Sequence, residues 1–260
     1  MTGLKNILLP LMLIIMVCGS CRREPIKDMS LNPEVYRKLG MPDHQKIWTN
    51  EDYYNANFTL SSLKIDYPLS LPRKISKKSG ELFNRFVNEE NLSFVSDTTI
   101  PLNVRAYRIQ SFERLQREME QIYTVENKKE LFYKEELIDL KIFGLYVNEK
   151  MLELAWKIMD SEDESDRVMQ SGMKAVKNNY LKLIIGLLNV PDELKDCPAN
   201  QLNRLSEAIF ISIKKNQEWF LPSERTAIIS RIEASTLRSY PDHIKENVIR
   251  ELKTLNDSNE

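Results

Sequence analysis

Apolar residues recur along most of the chain at three- and four-residue spacing, and short breaks of Pro or polar clusters separate the runs. That spacing puts the apolar side chains on one face of a helix, and it dominates after residue 40. Thr49-Asn50-Glu51-Asp52 reads as a helix start, with Tyr53, Ala56, Leu60 and Leu63 on one face behind it. Pro68 and Pro72 then break the chain. Ser79, Leu82, Phe83, Phe86 and Val87 predict a second helix, and Val95–Ile100 reads as a polar connector or a short strand. Pro101 suits a first helical position, ahead of Ala106, Ile109, Phe112, Leu115, Met119 and Ile122.

Leu131, Ile138, Ile142 and Leu145 continue the period, with Gly144 as a point of close packing. Met151, Leu152, Ala155, Ile158 and Met159 form the next stripe. Ser161-Glu162-Asp163-Glu164 puts acidic residues in a first helical turn, where the helix dipole favours them. The helix it opens runs from Val168 to Leu188, and Pro191 stops it. Three more helices are predicted at Asn200–Asn216, Ser223–Arg238 and Asp242–Leu255. The expected fold is all-α, with about eight helices in a bundle or an irregular helical-pair array. The helical domain spans residues 41–260, with room for a subdomain division near residue 160. Each predicted helix has one apolar stripe, and helices of this length need to bury that stripe against one another to be stable.

Composition agrees with a globular body. The 260 residues carry 37 Lys+Arg against 38 Asp+Glu, a net charge of −1, with 42% hydrophobic and 29% charged residues. A balanced charge argues against a nucleic-acid binder, which needs a basic excess.

The N-terminus changes the picture. Lys5 is the only charged side chain before Arg22, and Ile7–Cys18 is an unbroken apolar run of 12 residues, counting Pro10 as apolar. About 20 apolar residues are needed to span a bilayer, so this run matches the core of a signal peptide instead. The small residues Gly19 and Ser20 stand directly before Cys21. This arrangement resembles the lipobox of bacterial lipoproteins. The resemblance implies that residues 1–20 are a lipoprotein signal peptide and that Cys21 is the lipid-attachment residue. The residues alone also allow a cleaved signal without lipid, or an uncleaved N-terminal anchor.

The three cysteines are Cys18, Cys21 and Cys197. Cleavage and acylation at Cys21 leave Cys197 as one thiol, which forms no intramolecular disulfide. Residues 21–40, with Arg22, Arg23, Pro25 and Pro33, read as a tether whose two arginines meet lipid headgroups. Two or more acyl chains hold a protein stably at a membrane. By analogy with enterobacterial sorting, a residue other than Asp after Cys21 implies the periplasmic face of the outer membrane.

Motifs for chemistry are scarce. The two histidines, His44 and His243, each follow Pro-Asp and read as helix starts. There is no His-Glu-x-x-His, Glu-x-x-His or Cys-x-x-Cys, so no metal and no cofactor are expected. Counted as an EF-hand loop from Asp160, the sixth and twelfth positions are Ser165 and Ser171 rather than Gly and Glu. Ser212-Ile213-Lys214-Lys215 has the Ser-x-x-Lys spacing of penicillin-binding enzymes without their Ser-Asp-Asn and Lys-Thr-Gly companions. Arg73, Lys74, Lys77 and Lys78 form a basic cluster suited to anionic lipid or an acidic partner, or to a solvated helix start. Trp48, Tyr53 and Tyr54 cluster beside the tether, and Trp219-Phe220 precedes Pro222. Such aromatics serve as core or as interface anchors.

These features favour a membrane-anchored, non-enzymatic protein-binding or adaptor module of the cell envelope. Its expected partners are membrane lipid, through acylated Cys21, and an envelope protein. Two alternatives stay open: an immunity lipoprotein that neutralises a periplasmic toxin, and an envelope glycan hydrolase using paired carboxylates.

Overall fold

Seven α-helices and two 3-10 turns make up the secondary structure of the described residues, with no strand among them. The computed structural model describes residues 71–75, 80–130, 133–159, 166–189, 194, 197–235 and 242–258. The fold is all-α. The helix expected from Thr49, the signal peptide, the tether, and Cys21, Arg22, Arg23, Trp48, Tyr53, Tyr54, Lys77 and Lys78 lie outside the described residues.

The helices are α1 (Gly80–Phe86), α2 (Leu102–Glu130), α3 (Lys134–Met159), α4 (Asp166–Leu188), α5 (Ala199–Asn216), α6 (Pro222–Ala234) and α7 (Asp242–Asp257). One 3-10 turn, Glu89–Val95, follows α1, and another, Gln217–Trp219, follows α5. The stripes predicted from Ile138 and from Met151 belong to a single helix, α3. Only Asn148-Glu149-Lys150 separates them, with no Pro and no Gly pair, so the backbone ladder runs through.

Of the two readings of Val95–Ile100 the connector holds, and one helix end is corrected. Val95 closes a 3-10 turn, and residues 96–100 turn rather than extend. Asp97 Oδ1 accepts from the Thr99 N–H (2.9 Å) and hydroxyl (2.6 Å), and the Ile100 N–H reaches the Asp97 carbonyl (3.3 Å). Those local bonds compete with any strand ladder. The helix expected to reach Arg238 ends at Ala234 instead. Ser235 has left helical geometry (ψ 137°), and its hydroxyl donates to the Leu188 carbonyl at the end of α4.

α3 is the hub. From Glu136 to Leu145 every residue but Ile142 is buried, because neighbours cover the helix on all sides there. α2 and α4 both run antiparallel to α3 and pack along it, and α5 packs on another side. α6 and α7 pair with each other, α6 leaning on α4 and α7 on α5. Ile109, Phe112, Leu115, Met119 and Tyr123 bring α2 onto the core, which runs continuously from Leu71 to Leu252. At the far end of α2, Tyr123 meets Phe83 and Tyr133 edge-on, with ring centroids 5.7 and 5.4 Å away. The 3-10 turn at Glu89–Val95 is tied to α2 by Arg105, whose Nη1 donates to the Val95 carbonyl at 2.8 Å.

The closest seam is between α2 and α3. A Cβ on Gly144 would lie 2.5 Å from Gln116 Nε2, which donates to the Leu140 carbonyl at 2.9 Å. Gly144 therefore admits the Gln116 amide to the α3 backbone, as the sequence leads one to expect.

Candidate interaction site

α2 and α4 flank α3 on the same side, yet they make no more than marginal contact with each other. Between them lies a groove with α3 as its floor. The floor residues Gly144, Asn148, Met151, Ala155 and Ile158 recur at helical spacing, and all but Gly144 are half-buried. The spacing of Gly144 and Ile158 at 1.5 Å per residue makes the floor about 21 Å long.

The two ends of this groove differ. One end is a cavity of about 210 Å³ lined by Ala106 and Ile109 of α2, Met151 and Ile158 of α3, and Gly172 and Val176 of α4. The other end holds about 720 Å³ and is polar, with Glu113, Arg117 and Glu120 on α2, Asn148 on α3, and Asn179 and Lys182 on α4. Most charge at the polar end is matched internally. Arg117 Nε sits 2.7 Å from Glu113, and Lys141 Nζ sits 2.7 Å from Glu120. Lys182 is exposed and has no carboxylate in ion-pair reach among the described residues.

The face of α3 toward α5 is closed instead. Ser212 donates to Glu149 Oε1, and Lys215 Nζ lies 2.7 Å from Glu149 Oε2. The Tyr180 hydroxyl sits 2.5 Å from Ser212 Oγ and accepts from Asn216 Nδ2 at 2.7 Å. Burial pushes the Tyr180 hydroxyl well above its ordinary range, and the Glu149 charge adds to the effect. The Ser-x-x-Lys pair is thus bound to one carboxylate, with Ser212 fully buried. No substrate reaches that hydroxyl in this geometry.

Arg73 and Lys74 of the basic cluster dock on the N-terminal half of α3. Lys74 Nζ lies 2.7 Å from Asp139, which also holds Arg204 of α5 at 2.6 Å. The Lys74 N–H donates to Glu136 Oε1 at 2.7 Å, and Arg73 stands over the Tyr133 ring, 6.0 Å from its centroid. Tyr123 OH donates to the Pro72 carbonyl at 2.8 Å. Burial pushes the Glu136 carboxyl above the usual range, against the opposing pull of the Lys74 N–H and Arg73.

Trp219-Phe220 divides between core and surface. Phe220 is buried and stacks on Tyr180, with centroids 6.0 Å apart and planes at 3°. Trp219 faces Trp156 at 5.7 Å across a cleft of about 720 Å³ that also takes in Met159 and exposed Leu221. A rim pair, Lys177 with Glu224, stands at 2.9 Å. Cys197 is buried and forms no disulfide with a described residue.

Among the described residues no group of His, Cys, Asp and Glu is arranged to hold a metal ion, and no helix is long and apolar enough to cross a membrane. The sequence reading found the stripe from Met151 but assigned it to the core. The signal it missed was the company of small residues, Ala106, Ala155 and Gly172, which leave space that no side chain fills among the described residues. No protein-family model, curated protein or solved structure matches the chain.

Proposed function

We propose that the protein is a lipid-tethered, non-enzymatic binding module of the cell envelope, held by acylated Cys21 at the periplasmic face of the outer membrane and acting by seating a partner protein. The observation that carries this reading is the groove over α3, where two long helices stop short of each other and leave a half-buried apolar stripe. Interior-like surface of this kind is what a partner desolvates on binding. The side chains that chemistry would recruit weigh the same way. Ser212 and Lys215 are engaged by Glu149, and the groove carboxylates Glu113 and Glu120 are engaged by Arg117 and Lys141. A glycan hydrolase needs one carboxyl kept protonated beside its substrate. The described carboxyl with a raised pKa that burial causes, Glu136, is instead covered by the 71–75 segment.

The test is capture from detergent-solubilised envelopes with the full lipidated chain as bait. One envelope protein should be enriched reproducibly over a bait in which Cys21→Ala blocks acylation. Recovery of nothing above background would sink the reading. Mass spectrometry of the natural N-terminal peptide checks the anchor separately, and an intact Met1–Arg22 peptide would remove it.

A further inference from the structure

Residues 71–75 lie on α3 as a strap whose hold is concentrated in a few polar contacts. The main-chain tie to α3 is the Lys74 N–H, which donates to Glu136 Oε1 at 2.7 Å. That carboxyl is 1% exposed, and its second oxygen, Oε2, is buried with no hydrogen-bond partner among the described residues. Buried polar atoms are nearly always met. Glu149, on the same helix, has a partner on each oxygen, Ser212 on one and Lys215 on the other. Glu136 is met on one side alone.

The charged groups around Glu136 come from three described elements. Arg73 and Lys74 belong to the strap, Glu135 and Asp139 to α3, and Arg204 to α5. Lys74 Nζ and Arg204 both go to Asp139, at 2.7 and 2.6 Å, rather than to Glu136. Glu135 accepts from Gln201 of α5. From α2, the Tyr123 hydroxyl is spent on the Pro72 carbonyl.

Two effects of ionising Glu136 compete. The anion takes a stronger bond from the Lys74 N–H, but it also leaves a charged oxygen out of water with no partner. Burial wins. It pushes the carboxyl above its usual range against the pull of its own backbone N–H, the Lys74 N–H and Arg73, and Glu135 pushes the same way as burial. A protonated carboxyl still accepts from Lys74 through its carbonyl oxygen. Lifting the strap returns water to both oxygens. The seated strap thus binds the proton more tightly than the lifted one, so seating is favoured at low pH and weakens as pH rises through the seated carboxyl's titration.

We propose that residues 71–75 are a proton-operated latch: a neutral Glu136 keeps the strap's backbone seated on α3, and an ionised Glu136 lets it lift, with Asp139 keeping hold of the Lys74 ammonium on its flexible stem. The latch needs no partner, so it stands or falls apart from the binding reading.

The Lys74 amide reports the latch directly, through its bond to Glu136. Amide hydrogen exchange of the full chain in detergent, corrected for the intrinsic rate at each pH, reads how often that bond opens. Protection at Lys74 should fall severalfold between about pH 5 and about pH 8. An amide inside α3, that of Leu145, should keep its protection over the same range. Glu136→Gln keeps an acceptor and has no charge to hydrate. It should flatten the Lys74 profile, at a protection no lower than the natural protein shows at about pH 5. Asp139→Asn should lower Lys74 protection at every pH and keep the slope.

A flat Lys74 profile in the natural protein would overturn the latch, as would a slope that survives Glu136→Gln. A parallel fall at Leu145 would overturn it too, because the opening would then be global. Should Glu136→Gln fail to fold, the two amides of the natural protein and the Asp139→Asn slope still decide.

Discussion

The two sides of α3 solve opposite problems with the same helix. Toward α5, Glu149 gathers Ser212 and Lys215, and Tyr180 and Asn216 complete a buried network in which each polar group named has a partner. Toward the gap between α2 and α4, Asn148, Met151, Ala155 and Ile158 remain half-buried and end in open space. Buried polar groups are costly unless satisfied, so a network of this kind is found where the chain needs a closed interface. Half-buried apolar groups cost little to leave, and they can be desolvated later by another molecule. The contrast separates residues that hold the fold from residues free to serve something else.

The largest way to break the contrast is on the closed side. Tyr180→Ala removes a fully buried ring stacked on Phe220 together with its hydrogen bonds. It should cost about 3–5 kcal/mol, read as a drop in the chemical-denaturation midpoint. Glu149→Ala removes the acceptor of Ser212, leaving it only the Tyr180 hydroxyl, and releases Lys215, and should cost about 2–3 kcal/mol. Glu149→Gln, which keeps an acceptor for Ser212, should cost less. Met151→Ala on the open side should cost about 1 kcal/mol or less, because the side chain is only half-buried in the free protein. Comparable losses at Tyr180 and Met151 would erase the distinction between the sides.

Smaller effects sharpen it. Gly172→Ala and Gly186→Ala add a Cβ in open space within a helix, so each should stabilise by about 0.5–1 kcal/mol. The two positions share no partner, so the gains should add in the double variant. Glu136→Gln tests the closed side through pH. The Glu136 carboxyl is raised from 4.5 by burial, so the folded state holds its proton more tightly than the unfolded state does. That favours the fold below about pH 4.5 and is lost as pH rises through the folded value. Glutamine still accepts from the Lys74 N–H and carries no charge. The variant should therefore gain on the natural protein as pH rises above about 4.5, measured as urea midpoints at each pH.

Much of the fold was legible in the sequence. The predicted boundaries at Asn200–Asn216 and Asp242–Leu255 fall within two residues of α5 and α7, because strong stripes and clean polar breaks mark both ends. The merging of two stripes into α3 follows the same periodicity once the stretch between them is seen to hold no breaker. Residues 96–100 were less legible, since an Asp–Thr turn carries no hydrophobic pattern. Neither α3 network was visible, because Glu149 and Ser212 are 63 residues apart and Lys74 and Asp139 join only through packing. The groove was half legible. Its floor was read as a stripe, but periodicity cannot say whether a stripe faces its own chain or a vacancy.

The grip on residues 71–75 decides where a load enters the described helices. Pro72 is held by Tyr123 of α2, and Lys74 is held through both its backbone and its side chain by Glu136 and Asp139 of α3. A pull applied at Leu71 meets these attachments before it reaches α1. The load is thus shared in parallel by the two longest of the described helices, α2 and α3, rather than falling on α1 alone.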